Sequence, residues 1–231
     1  MQVKLDSRLQ AVADLVLPGK PAADIGADHN YLPVYLVING ICPQVIATDL
    51  ARDPYENACQ LVDLLSLSRQ IQVRLGDGLA PLEPGEVDTI TIAGMGGFLI
   101  SDILSKSPLV LMQTKRLVLQ PQKNAATLRR WLMENGWLIV TERLALDHGF
   151  YYEIIAAEHG AMQLTAEELE FGPRLLGDPH PLLLKYLLLK KGDWQALAEQ
   201  MSGLTGQRAQ KRLVQLTEAI ASIEKIINRL I

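Results

Sequence analysis

Apolar positions over roughly the first two thirds of the chain fall alternately into short β-rich runs and longer amphipathic ones. The short runs predict strands over Ala22–Ile25, Val45–Leu50, Ile71–Leu75, Val87–Ala93, Arg116–Gln120, Trp137–Leu144 and Tyr151–Ala157. Between them the longer runs predict helices near Tyr31–Asn39, Pro54–Leu65, Gly97–Ser105 and Ala125–Asn135, with another at Ser7–Val16 before the first strand. Repeated βα units of this kind wind around a mostly parallel sheet, so the fold class is α/β. The last two strands are separated only by Asp147-His148-Gly149, which forces them to run antiparallel.

After His159 the strand pattern stops. Thr165-Ala166-Glu167-Glu168 reads as a capping box that opens a short helix ending near Gly172-Pro173. Leu183, Leu187, Lys190, Trp194, Leu197, Met201 and Leu204 are then spaced four and three apart, and Leu213, Leu216, Ile220, Ile223, Ile227 and Leu230 repeat the rhythm. With Gly203 and Gly206 between them, the two heptad helices predict an antiparallel hairpin, in which Lys190 interrupts the seam and snorkels outward. The expected organisation is a sheet domain over 1–160 and a helical coiled-coil domain over 161–231. The hairpin seams either pair with each other or meet another chain, which leaves a monomer and a weak homodimer both open.

Composition narrows this picture little. The 231 residues, 48% of them hydrophobic, suffice for one full core and a smaller unit. The formal charge of -4 argues against indiscriminate attraction to nucleic acid, although the stretch from Asp178 onward carries eight basic residues against five acidic ones. No signal-peptide pattern and no membrane-length apolar run is present, so the expectation is a cytoplasmic protein with no membrane association. Cys42 and Cys59 lie far apart without ligand spacing, so neither a disulfide framework nor a metal site is expected.

The chemistry-bearing residues collect at strand ends, where α/β sheets bind ligands. Asp24-Ile25-Gly26-Ala27-Asp28-His29-Asn30-Tyr31 follows the first strand, and Gly26 permits a tight turn there. A dinucleotide fingerprint would need a second glycine where Asp28 stands, and that carboxylate repels phosphate. S-adenosylmethionine has no phosphate and carries a sulfonium and an ammonium, so Asp24 and Asp28 favour it over NAD; the alternative is that both only organise the turn. Asp49 ends the second strand, where an acid accepts from both ribose hydroxyls. Asp77-Gly78 follows the third and is placed to hold an adenine amino group, and Ala93-Gly94-Met95-Gly96-Gly97 after the fourth reads as a backbone wall beside the ligand. The antiparallel ending agrees, being that of a methyltransferase sheet rather than of a nicotinamide-binding one.

In order, Asp24 through Tyr31 with Leu32-Pro33, then Gly76-Asp77-Gly78-Leu79, Ile92-Ala93-Gly94-Met95-Gly96-Gly97, Leu119-Gln120-Pro121-Gln122 and Phe150-Tyr151-Tyr152-Glu153, the chain resembles the bacterial TrmK-like family over essentially its whole length. The resemblance implies a Rossmann-like class I methyltransferase domain using S-adenosyl-L-methionine, a C-terminal coiled-coil domain, and N1 of adenine 22 in tRNA as acceptor. One segment departs from the family pattern: Ala47-Thr48-Asp49-Leu50-Ala51-Arg52-Asp53-Pro54-Tyr55 stands where a Gly-Glu-Val type segment before Gly-Pro-Tyr is expected, with the acid kept in kind.

Ring N1 is hidden by pairing or stacking, so its base must be flipped out before reacting. Exocyclic-amine methyltransferases typically carry an Asn/Asp-Pro-Pro-aromatic loop after the fourth strand. Gly94-Met95-Gly96-Gly97 in its place favours a ring nitrogen. Tyr31, His29, Gln120 and Pro121 are the candidates for the acceptor pocket, His29 either bonding the base or capping its helix. Lys115, Arg116, Lys123, Arg129 and Arg130 form a basic run that either touches phosphates or is simply solvated. A methyltransferase for another RNA or a small molecule, and a non-catalytic nucleic-acid-binding module, are the alternatives.

Overall fold

The computed structural model describes residues 3–27, 30–178, 180–203 and 206–231. Its central element is a seven-stranded sheet built from β1 (Ala22–Ile25), β2 (Val45–Asp49), β3 (Ile71–Leu75), β4 (Thr89–Met95), β5 (Arg116–Pro121), β6 (Trp137–Asp147) and β7 (Phe150–His159). The spatial order is β3-β2-β1-β4-β5-β7-β6, with β7 antiparallel to both its neighbours and the other pairs parallel.

Successive residues of the inner strands are buried on opposite faces, as a pleated strand covered on both sides requires. Leu117 and Leu119 of β5 and Ile155 and Ala157 of β7 join one core, with Ile100, Ile103 and Leu104 of α4 (Gly97–Ser105), Val110 and Leu111 of α5 (Pro108–Leu111) and Leu128 and Leu132 of α6 (Ala125–Glu134). Val118, Ile154 and Ala156 join the other, with Val12 of α1 (Ser7–Ala13), Leu32 and Leu36 of α2 (Tyr31–Ile38) and Val62 of α3 (Arg52–Leu64). Asp6 caps α1, its carboxylate accepting from the Leu9 N–H at 2.6 Å.

The chain divides into compact units at Met1–Asp178 and Pro179–Ile231, later than the 160/161 boundary expected from the end of the strand pattern. Helices α7 (Ala166–Phe171) and α8 (Pro173–Gly177) therefore belong with the sheet. A buried ion network accounts for this. Arg129 of α6 donates to Glu142 of β6 at 2.7 Å and to Glu153 of β7, and also to the carbonyl of Leu169 at 3.1 Å. Burial opposes the charge on Arg129, but Glu153 and Glu142 outweigh it and hold the guanidinium above its ordinary pKa. Thr165 forms the expected capping box with Glu168.

The second unit is a pair of helices, α9 (Leu183–Ser202) and α10 (Gln207–Leu230), joined by Lys191–Glu224 at 2.8 Å. Leu183, Leu187, Leu216, Ile223, Ile226 and Ile227 are its buried positions. Lys190 does not snorkel free: its ammonium lies over the rings of Tyr186 and Trp194, at 5.4 and 5.1 Å. Leu204 lies outside the described residues. No helix among the described residues is long and apolar enough to cross a membrane.

Candidate active site

A cleft of about 400 Å³ opens at the C-terminal ends of β1 and β4, lined by Asp24, Gly26, Tyr31, Ala93, Gly94, Met95, Arg8 and Leu9 of α1, and its cap Asp6. The two strands are neighbours, but β1 leads to α2 on one face of the sheet and β4 to α4 on the other. A crevice must open between the diverging chains, and ligands of open α/β sheets bind there.

Asp24 supplies the cleft's buried charge. Its Oδ1 accepts from the Thr91 hydroxyl at 2.6 Å. Burial pushes its pKa up from 3.8 to about 6, and the Thr91 hydrogen bond and the Arg8 guanidinium restrain the rise. Gly26 turns with φ +69° directly after the strand, and a Cβ there would sit 2.3 Å from Met95 Cε.

The opposite wall is held open by an irregularity in β4. Pairing with β5 shifts register between Ala93 and Met95, which leaves Gly94 out of the ladder at φ +81°. Gln120 fills the gap: its Oε1 accepts from the Gly94 N–H at 3.0 Å and from Arg8 Nη1 at 3.1 Å. Two donors on one oxygen fix the amide orientation and turn Nε2, which has no partner in the described protein, away from them. Gly97 is clamped in turn, its N–H donating to the Lys123 carbonyl at 2.8 Å. A Cβ on Gly97 would meet the Asn124 carbonyl oxygen at 2.2 Å.

The edge continues across β2 and β3 with less enclosure. Asp49 Oδ1 accepts from the Ala51 N–H at 2.9 Å, and the Asp49 carbonyl accepts from Gly76. The Thr48 hydroxyl donates to the Gly78 carbonyl at 3.3 Å, tying the loop after β3 to β2. Asp77 is exposed and lies 3.8 Å from the Lys106 ammonium. Gly78 has φ +55°, and a Cβ there would press on Ile103 at 2.8 Å.

The family model described as tRNA (adenine(22)-N(1))-methyltransferase matches residues 22–225. The chain belongs to that family. The tRNA (adenine(22)-N(1))-methyltransferase of Bacillus subtilis strain 168 is 34% identical, over 98% of each chain. A Streptococcus pneumoniae structure in complex with S-adenosyl-L-methionine superposes with TM-score 0.85 at 36% identity, over 97% of this chain and all of that one. M. capricolum TrmK in complex with S-adenosyl-homocysteine gives 0.84 at 26% identity, over 97% of this chain and 98% of that one.

Within this family member the positions expected from sequence divide into groups. Asp24, Gly26, Tyr31, Ala93, Gly94 and Met95 come together in one cleft, and Gly96 caps the helix that leaves it. Asp49, Asp77 and Gly78 extend the same sheet edge. Gln120 and Pro121, expected in the acceptor pocket, are buried, and Gln120 stands behind the wall as its strut. Asp28 and His29 lie outside the described residues. Of the basic run, Arg129 is fully buried in its ion network, Arg116 pairs with Glu158 and Lys115 with Asp88. Sequence reasoning missed Arg8 and Thr91; the one available signal was Arg8 on a helix that precedes the first strand.

Proposed function

We propose that this chain transfers a methyl group from S-adenosyl-L-methionine to N1 of adenine 22 in tRNA, acting in the cytoplasm, where that RNA is found. The observation that carries the reading is a cleft with a buried carboxylate, Asp24, between two positions without side chains, Gly26 and Gly94. The residues fit the cofactor. Its amino-acid end is a zwitterion, and the cleft offers the Asp24 carboxylate and the Arg8 guanidinium as counterparts. Asp49 would take the ribose hydroxyls and Asp77-Gly78 the adenine, with Ala93 to Gly96 as the wall. Beside these, Asp28 would serve as a second acid toward the cation and His29 as a contact to the base.

When bound, the cofactor supplies an electrophilic methyl group on a positively charged sulfur. The chain's own task is orientation. N1 of adenine carries an in-plane lone pair and no proton, so no side chain has to remove one. Asp24 is ionised above about pH 6 and makes the cleft favourable to positive charge. Tyr31, half-exposed at the mouth, would meet the flipped base, while Gln120 braces Gly94 and Pro121 pairs with Met95 to keep the wall in shape.

Incubation with the cofactor and an unmodified tRNA transcript, followed by mass spectrometry of the nucleosides, tests this. The expected product is 1-methyladenosine, lost when adenine 22 is replaced by guanine. Methylation of the exocyclic amine, transfer only to protein or small molecules, or binding without transfer would each overturn it.

A further inference from the structure

Only three phenylalanines occur in the chain, and one, Phe171, is buried at 1% exposure. The other two, Phe98 and Phe150, are 64% and 67% exposed. An exposed aromatic ring gains nothing for the fold, so position matters. Phe98 is the second residue of α4, directly after the glycine wall of the cleft. Its place is fixed from behind, because Gly97 is locked against Lys123 and Asn124. Along α4 the exposed positions change character: Phe98 and Leu99 beside the cleft are apolar, whereas Asp102, Ser105 and Lys106 at the far end are polar.

Phe150 reaches the same edge by topology. Because β7 runs antiparallel to both β5 and β6, β6 is parallel to β5, and its C-terminal end lies with those of β1 and β4. Phe150 follows that end across the turn, and the Ser7 N–H donates to Asp147 Oδ1 at 3.4 Å, joining the turn to the helix that carries Arg8. With Tyr31, 52% exposed after β1, three rings on three separate elements thus stand along the edge that holds the cleft.

We infer that Phe98 and Phe150, with Tyr31, form a stacking platform for unpaired tRNA bases around the cleft mouth, Phe98 making the main contact. The inference rests on the functional reading above and names the surface that receives the substrate. A base whose N1 is to be methylated has left its stack, and it and its neighbours need flat apolar faces in exchange. Separate rings beside exposed Lys123 suit nucleotides, which bring an anionic backbone with each base. A second copy of the chain would instead ask for a continuous apolar area.

The test compares methyl transfer to tRNA, and cofactor affinity by calorimetry, for the wild type, Phe98→Ala, Phe98→Trp, Phe150→Ala and Leu109→Ala. Leu109 is the control: it is 66% exposed but lies on α5, which enters β5 from the opposite edge. Loss of one base–aromatic stack should lower kcat/KM for tRNA about ten-fold in Phe98→Ala and less in Phe150→Ala, with cofactor affinity unchanged. Phe98→Trp should restore the rate to within about two-fold, since the larger ring keeps the stacking face. The inference is overturned if Phe98→Ala matches Leu109→Ala, if cofactor binding falls as far as transfer, or if the variant dissociates a dimer in sedimentation. A wild type that forms no 1-methyladenosine overturns the functional reading and this inference together; a normal wild type with an unaffected Phe98→Ala overturns this inference alone.

Discussion

The two ends of the proposed cofactor site are built differently. At β1 and β4 the carboxylate of Asp24 is buried, held by Thr91 and faced by Arg8, beside a wall fixed by the Gln120 strut. At β2 and β3, Asp49 is only partly covered and Asp77 is exposed beside Lys106. Charge in an enclosed, pre-arranged setting interacts more strongly than charge in water. The first end should therefore dominate affinity for a cationic ligand, and the second should mainly set its register along the edge.

The largest effect expected is that of Asp24→Asn, which removes a buried charge from a charge pair and should weaken cofactor binding by at least about 30-fold. Its pH dependence sharpens the point. The Asp24 carboxyl, raised to about 6, takes up a proton as pH falls through that value, so wild-type affinity should drop below about pH 6 while that of Asp24→Asn stays flat. Calorimetry at a series of pH values reads both; a flat wild-type profile would contradict the role of Asp24. Folding shows the opposite sense. Because the folded-state pKa is raised, ionising Asp24 costs stability increasingly from about pH 4 to pH 6, and Asp24→Asn should lose less stability over that window in denaturant titrations.

Next comes Gly97→Ala. Its Cβ would meet a backbone oxygen at 2.2 Å, and overpacking of this kind costs about 1–3 kcal/mol, visible as a lowered Tm. An unchanged Tm would mean that the loop yields and is not clamped. Asp49→Ala should weaken the cofactor about ten-fold, through lost hydrogen bonds to a partly solvated carboxylate. Asp77→Asn should cost about two-fold, because the group is exposed and screened. A larger loss at Asp49 than at Asp24 would invert the comparison between the two ends.

Much of the fold was legible because the strands read as short β-rich runs and most helices as longer amphipathic ones. Ile71–Leu75 and Gly97–Ser105 match residue for residue. The fourth strand begins at Thr89 rather than Val87; just before it the Asp88 N–H donates to the Pro21 carbonyl, and the Asp88 carbonyl accepts from Lys115 and Arg116 where the neighbouring strands enter the sheet. Helices α5 and α8 are too short to show a period. Asp24, Gly26 and Gly94 could be found because strand-end acids and glycines stand out locally. The contacts that give them their properties could not: Thr91 is 67 positions from Asp24, and Arg8 is 112 from Gln120. Gln120, at the end of a strand, was expected in the acceptor pocket, and only the register shift at Gly94 shows that its side chain replaces a missing ladder partner.

The proposed function requires above all that this edge accept a cationic, phosphate-free adenosine ligand. Parallel calorimetric titrations with S-adenosylmethionine and with NAD test it most directly. One saturable site is expected for the first and no detectable heat for the second; tighter binding of NAD, or no binding of S-adenosylmethionine, would contradict the proposed cofactor site.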